Sequence, residues 1–354
     1  MTTLIVGGGL SGLALADMLE TDGQDYHLLE ARGRFGGRIM TETSLDGGYF
    51  DVGPAWFWPG QPRIDRLIAR LGLKKFGQYA SGELTFEDEN GQVHRGMGYS
   101  SMGGSWRLEG GLGLLTQTLA DRIPSTRKTL NAPVRALQRA ADHCVATLED
   151  GTGLTADRIV LAMPPRLMSK LNFAPALPAV SMQAMASVPT WMAGQAKAIA
   201  VFDTPFWREA GLSGDAMSRH GPMVEIHDAS PVEGGPYALF GFIGVPPAAR
   251  ANEQRLREAV QAQFVRLFGE EAADPQQLFI KDWAFDEFTA TEADAQPVYS
   301  HPAYGLPSAL RNLWDDRLIL AGTEVAREFG GFVEGALEAA EVAHKHIGVD
   351  ALSH

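Results

Sequence analysis

Apolar positions follow three rhythms along this chain. Short continuous runs, "TLIV" at 3–6, "IVLA" at 159–162 and "LIL" at 318–320, have the length of strands buried on both faces. "HCVATLED" at 143–150 alternates, the mark of a strand with one buried face. "NEQRLREAVQAQFVRLFG" at 252–269 puts Leu256, Val260, Phe264 and Leu267 on one face of a helix.

Placed in order, these rhythms outline an architecture. "TLIVGGGLSGLALADMLE" reads as strand, glycine turn and helix, and "DYHLLEA" at 25–31 as a second strand. Together they form a βαβ unit suited to a parallel sheet. "ELTFEDENGQVHR" is a hairpin with Asn90-Gly91 at its turn. "GLGLLTQTLADRI" at 111–123 is an amphipathic helix, and 133–165 holds strands separated at Asp150-Gly151. The last of these, Ile159 to Ala162, is expected to rejoin the first sheet. "GQAKAIAVFDTPFW" and "YALFGFIGVP" are longer strands, which predicts an antiparallel sheet covered by the 252–269 helix. "RLILAGTEV" then returns as a buried strand before the helix "GFVEGALEAAEVAHKHI". The fold class expected is α/β, a Rossmann-like nucleotide-binding domain joined to an α+β substrate domain with an antiparallel sheet. The first domain is discontinuous, taking 1–80, 105–170 and 290–354; the second takes 81–104 and 171–289.

Composition narrows the partners. The net charge is −13, against a nucleic-acid partner, whose phosphates need clustered Lys and Arg. The single cysteine, Cys144, lies in the alternating strand and reads as a packing residue. No secretory leader and no apolar run of membrane-spanning length is visible, so a cytoplasmic location without a membrane anchor is expected.

Gly7, Gly9 and Gly12 fit G-x-G-x-x-G between strand and helix. The first permits the turn, the second lets a pyrophosphate approach the backbone, and the third lets helix and strand pack. The helix N-terminus then offers N–H groups and a positive dipole end to phosphate. Glu30 follows where a carboxylate can accept from ribose hydroxyls. This motif alone does not separate a nicotinamide from a flavin dinucleotide. The stretch "LLEARGRFGGRI" at 28–39 adds Arg32, Arg34 and Arg38 near the same phosphates, with Gly36-Gly37 allowing tight passage. Arg34 reads as a solvated turn residue.

Residues 30–38, "EARGRFGGR", resemble the E-A-R-x-R-x-G-G-R signature of the flavin-containing amine oxidases. "FDVGPAWFWPGQPRI", "EGGLGLLTQTLA", "PVRALQR" and "LAGTEVAREFGGFVEGALEAAEVA" resemble further segments of that family, in family order. The resemblance implies FAD. Glu30, Ala31 and Arg32 would hold its adenosine side, and Gly37 and Arg38 the pyrophosphate or ribityl region. Gly53, Pro54, Ala55 and Trp56 would meet the isoalloxazine, Val134 the adenine, and Glu324 the ribityl or pyrophosphate part. Gly331, Phe332 and Val333 would open a helix whose positive end favours negative charge on a reduced flavin.

The resemblance also implies chemistry: hydride transfer from a carbon bearing a neutral amine to flavin N5, imine hydrolysis, and reduction of dioxygen to hydrogen peroxide. Lys197, which interrupts an apolar strand, resembles the lysine that holds a water against N5. Tyr304 and Phe332 resemble the two aromatic rings flanking the substrate nitrogen, and Trp283 the tryptophan preceding that segment. Two departures stand out. Phe332 replaces a tyrosine frequent in the family. Ala303 occupies the position of the cysteine that joins flavin covalently in animal monoamine oxidases, so non-covalent FAD is expected. The chain is also shorter than typical members, which points to a more open site and an amine larger than a simple monoamine, such as a peptide-bound one. His220, His227 and His301 lack metal-ligand spacing and read as surface or pocket-lining residues; no metal is expected. Two rival readings share the front-end motif: an FAD desaturase or dehydrogenase of the same superfamily (protoporphyrinogen oxidase, phytoene desaturase or renalase-like), and a flavin-binding protein without turnover. Lys197 before "PFW" and the Trp283–Tyr304 segment favour the amine branch.

Overall fold

The computed structural model describes residues 1–296, 298 and 300–351. Its first sheet has five parallel strands in the order Leu318–Leu320, Arg158–Leu161, Thr2–Val6, Asp25–Leu29, Lys128–Thr129. Runs from near residues 1, 160 and 320 thus meet side by side, as their continuous apolar character requires of strands covered on both faces. Helices Leu10–Thr21, Gly111–Arg122 and Val333–Ala351 pack into the core on one side, which includes Leu13, Leu15, Leu112, Leu115 and Leu337.

On the other side lies a four-stranded sheet, with Val134–Arg139, Cys144–Leu148 and Gly153–Ala156 antiparallel and Asn172–Ala174 added in parallel. Cys144 is buried there among apolar side chains, a packing residue.

The third layer is a seven-stranded sheet. Next to its Gln277–Asp282 edge, Ala196–Phe202 is antiparallel to both that strand and Tyr237–Ile243. The hairpin turning at Asn90-Gly91 forms its far edge, with Gly91 at φ +77°. Helix Glu253–Phe268 covers one face with Leu256, Val260, Phe264 and Leu267, all buried, and Asn252 caps its start by accepting from Arg255 N–H at 3.0 Å. The opposite face, carrying Ile199, Val201 and Phe240, packs on Phe50, Val52, Ala55 and Trp56. Both faces of Ala196–Phe202 are therefore covered, and all seven of its residues are buried. Among the described residues no helix is long and apolar enough to cross a membrane.

Candidate active site

A cavity of about 650 Å³ runs between the parallel sheet and the seven-stranded sheet. One end is lined by Leu29, Glu30, Ala132 and Val134, the other by Lys197, Trp283, His301 and Phe332. The glycine turn, the 31–38 loop and the Gly53–Trp56 segment lie between.

The turn is built for close approach. Gly7 has φ +112°, and a Cβ there would sit 2.5 Å from the Ala162 carbonyl oxygen; a Cβ on Gly12 would sit 1.9 Å from Gly7 O. Gly12 thus does not line the cavity but lets helix Leu10–Thr21 seat on the turn. The first residues of that helix, Leu10 and Ser11, and of the last helix, Val333 and Ala336, face the cavity, so two helix N-termini present positive ends to it.

Glu30 is buried. Its carboxylate accepts from Gly8 N–H at 2.7 Å and from Arg32 N–H at 2.9 Å. Arg32 reaches across to the other half, donating to Asp286 and, at 3.0 Å, to Thr289, with its guanidinium over the Phe288 ring. Arg38 lies on Glu324, which is completely buried, with contacts of 2.6 and 3.3 Å. Arg34 differs from its sequence reading. It is no solvated turn residue: it folds back to donate to the carbonyls of Phe35, Gly37 and Ile39, bracing the two-glycine loop from within. Burial lowers its pKa. Each arginine of the cluster is therefore already partnered, which leaves backbone N–H groups and the exposed quarter of Arg38 as the donors free for an anion.

Lys197 is the chemical centre of the other end. Its ammonium nitrogen donates to the carbonyl of Gly53 and lies 5.3 and 5.6 Å from the ring centres of Phe242 and Phe240. Burial depresses its pKa to about 7, only partly opposed by the charge of Asp51. Gly53 is required where it stands, because a Cβ would lie 2.1 Å from Arg38 O. Pro54, Ala55 and Trp56 continue along the wall, and Trp56 is fixed by donating Nε1–H to Gln78 at 2.7 Å. Trp283 donates to Val52 O at 2.9 Å and lines the cavity beside Lys197.

Phe332 faces the cavity, but Tyr304 does not join it there. Tyr304 is turned behind Gly330 and Gly331, where a Cβ would strike its ring, and its hydroxyl donates to Pro189 O at 2.8 Å. The ring against Phe332 is His301, stacked at 4.7 Å with 14° between planes and braced edge-on by Trp191. Sequence order favoured Tyr304 because a tyrosine is the expected partner; the loop instead presents the residue three places earlier.

Glu324 lies behind Arg38 rather than on the cavity surface, and Thr323, its neighbour, accepts from Gly331 N–H at 3.0 Å and donates to Phe332 O at 2.9 Å. Glu225 and Gln195 are cavity residues that the sequence did not single out.

The donor set fits a dinucleotide carrying a ring system: a buried acceptor carboxylate for ribose, glycine-cradled backbone for diphosphate, two helix ends, and an aromatic chamber with one lysine. Comparison with known proteins agrees. A family model described as flavin containing amine oxidoreductase matches residues 10–101 and 97–343. A probable flavin-containing monoamine oxidase A from Dictyostelium discoideum is 24% identical, over 97% of this chain and 96% of that protein. A putative flavin-containing monoamine oxidase from Mycobacterium tuberculosis is 33% identical over 67% of this chain and 52% of its own length. In overall shape the chain is similar to a cyclohexylamine oxidase from Brevibacterium oxydans, with TM-score 0.85, 21% identity and 99% of each chain covered. It is also similar to a putrescine oxidase, with TM-score 0.81, 21% identity and 99% of each chain covered.

Proposed function

We propose a specific reaction for this chain, which belongs to the flavin-containing amine oxidoreductase family and is a flavin-dependent oxidoreductase acting on amines. The reaction is oxidative deamination of an amine, with non-covalent FAD as cofactor and dioxygen as acceptor. The observation that supports it best is Lys197: a buried cation, pKa lowered to about 7, hydrogen-bonded to Gly53 O at the aromatic end of the cavity whose other end is lined by Glu30.

FAD, when bound, supplies two-electron redox chemistry between the carbon that bears the amine nitrogen and dioxygen. The chain's own residues do the rest. Glu30, held by Gly8 N–H, offers its remaining lone pairs to ribose hydroxyls. Gly7, Gly9 and the two helix ends receive the diphosphate, with Gly37, Arg38 and Glu324 shaping the middle and Val134 meeting the adenine. Gly53 to Trp56 and Gly331 to Val333 bracket the ring system. Ala303 offers no sulfur for a covalent link.

Lys197 holds a proton or a water at its ammonium nitrogen and sits poised between charge states near neutral pH. Phe332, His301, Phe242 and Trp283 exclude water, which favours the neutral amine that the chemistry needs. The test is a peroxide assay over a panel of amines with the purified, FAD-supplemented protein. Amine-dependent peroxide supports the reading; no product from any amine, with FAD demonstrably bound, removes it in favour of another superfamily reaction.

A further inference from the structure

We infer that Glu225 is a specificity-determining residue that receives a second cationic group of the substrate, so that the preferred amine is an α,ω-diamine rather than a monoamine; this rests on the reading above. Lys197 pairs with Phe242 on the neighbouring strand, and Phe242 pairs with Glu225 on the next. Directly paired residues share a sheet face, and all three line the cavity. Two strand spacings put the Glu225 and Lys197 backbones roughly 10 Å apart. A short aliphatic chain can span that interval, with one nitrogen near Lys197 and the other at the carboxylate.

Glu225 is built to stay anionic and in place. Its Oε1 accepts from His227 Nε2 at 2.9 Å and from the Ser101 hydroxyl. His227 is buried, and its Nδ1 lies 2.7 Å from Asp215 Oδ1, while Asp215 Oδ2 accepts from Ser100 at 2.6 Å. For His227, burial would lower the pKa, but the hydrogen bonds and charges of Asp215 and Glu225 outweigh it and favour the imidazolium. For Glu225, burial would raise the pKa, but the bonds from His227 and Ser101 hold it below the usual range. Among the described residues no donor meets Oε2, and a quarter of the side chain is exposed where the cavity runs. One oxygen is thus anchored and the other is left for a ligand. Phe242, Val224 and Met102 line the cavity around it, apolar walls suited to methylenes. A monoamine would leave the second carboxylate oxygen without a partner in this partly apolar cavity, whereas the distal ammonium of a diamine meets it.

The experiment compares kcat/KM for a series of α,ω-diaminoalkanes of three to six carbons with length-matched n-alkylamines, in the FAD-loaded wild type and in Glu225→Gln and Glu225→Asp. In the wild type the best diamine should exceed its matched monoamine by roughly 10- to 100-fold, the worth of a charge-assisted hydrogen bond in a closed site. Glu225→Gln should shrink that ratio to within about threefold, judged on the ratio alone. Glu225→Asp retracts the carboxylate and should move the optimum to a diamine one methylene longer, a readout that stands even if the glutamine variant fails to fold. Equal use of matched monoamines and diamines by the wild type, or an optimum unmoved in Glu225→Asp, overturns the role of Glu225 and leaves amine oxidation intact. Failure of every amine to react overturns the reaction itself, and this inference with it.

Discussion

Arg38 and Glu324 are separated by 286 positions in the chain, yet their side chains lie against each other with contacts of 2.6 and 3.3 Å, and the carboxylate is completely sealed from solvent. The pair fastens the two-glycine loop to the segment that precedes the last helix. Arg38 also lines the cavity, so the same contact that closes the fold shapes the middle of the cofactor site.

Removing one partner strands the other. Arg38→Ala leaves a buried carboxylate unpaired and should destabilise the protein by about 3–5 kcal/mol. Arg38→Met with Glu324→Leu should recover much of that stability in thermal unfolding, because neither charge is left alone. FAD affinity should stay weak in both the single and the double variant, as measured by flavin retained through gel filtration.

Lys197 sets a pH dependence of known sign. Its pKa is about 7 in the folded chain, against an ordinary lysine value in the unfolded one. Between those values the unfolded state binds the extra proton. Stability contributed at this position therefore rises with pH above about 7, by up to about 1.4 kcal/mol per pH unit, and the penalty is fully present below it. Asp51, buried nearby and accepting from Leu112 N–H at 3.0 Å, opposes the shift but does not cancel it. The difference in unfolding free energy between wild type and Lys197→Met, followed from pH 7 to pH 9, isolates this contribution; a flat difference contradicts it.

Gly53 couples backbone to chemistry. Gly53→Ala forces a methyl against Arg38 O at 2.1 Å and moves the carbonyl that Lys197 holds. The expected outcome is a loss of about 1–3 kcal/mol of stability together with a drop of at least tenfold in the rate of flavin reduction. A destabilised variant with unaltered flavin reduction would show that the lysine contact is not needed for chemistry.

Glu334 supplies a control of a different kind. From the last helix it accepts the backbone N–H of Arg63 and of Ile64, both at 2.9 Å, and so caps helix Pro62–Arg70 in place of a local side chain. Glu334→Ala should cost about 1–3 kcal/mol in thermal unfolding by leaving buried N–H groups without an acceptor. The loss should also appear as faster amide exchange over 62–70.

Much of this architecture is written locally. The strands at 2–6, 158–161 and 318–320 are largely apolar because they are covered on both sides, and the pairing of Thr2–Val6 with Asp25–Leu29 follows from the glycine turn and the single helix that links them. Likewise the 253–268 helix shows its buried stripe in its own residues. What is not local could not be read this way. Arg34 looks like a surface cation until the curl of 35–39 aims three carbonyls at it. Tyr304 is the ring the sequence offers beside Phe332, and only the path of its loop turns it away and sets His301 there instead. Glu225 carried one usable sign, the alternation in "VEIHD" that sets Glu225 and His227 on the same face of a strand. Their partner Asp215 comes from the next strand, and a single sequence does not disclose that pairing.

The central claim is that a flavin lies in the cavity between Glu30 and Lys197 and is reduced there by an amine. The most direct test is an anaerobic absorbance titration of the purified, FAD-loaded protein with diaminoalkanes. The account predicts a bound-flavin spectrum that bleaches on amine addition and returns when air is admitted, with bleaching or its reversal slowed at least tenfold in Lys197→Met. A colourless protein that takes up no FAD, or a bound flavin that stays oxidised under every amine, would contradict it.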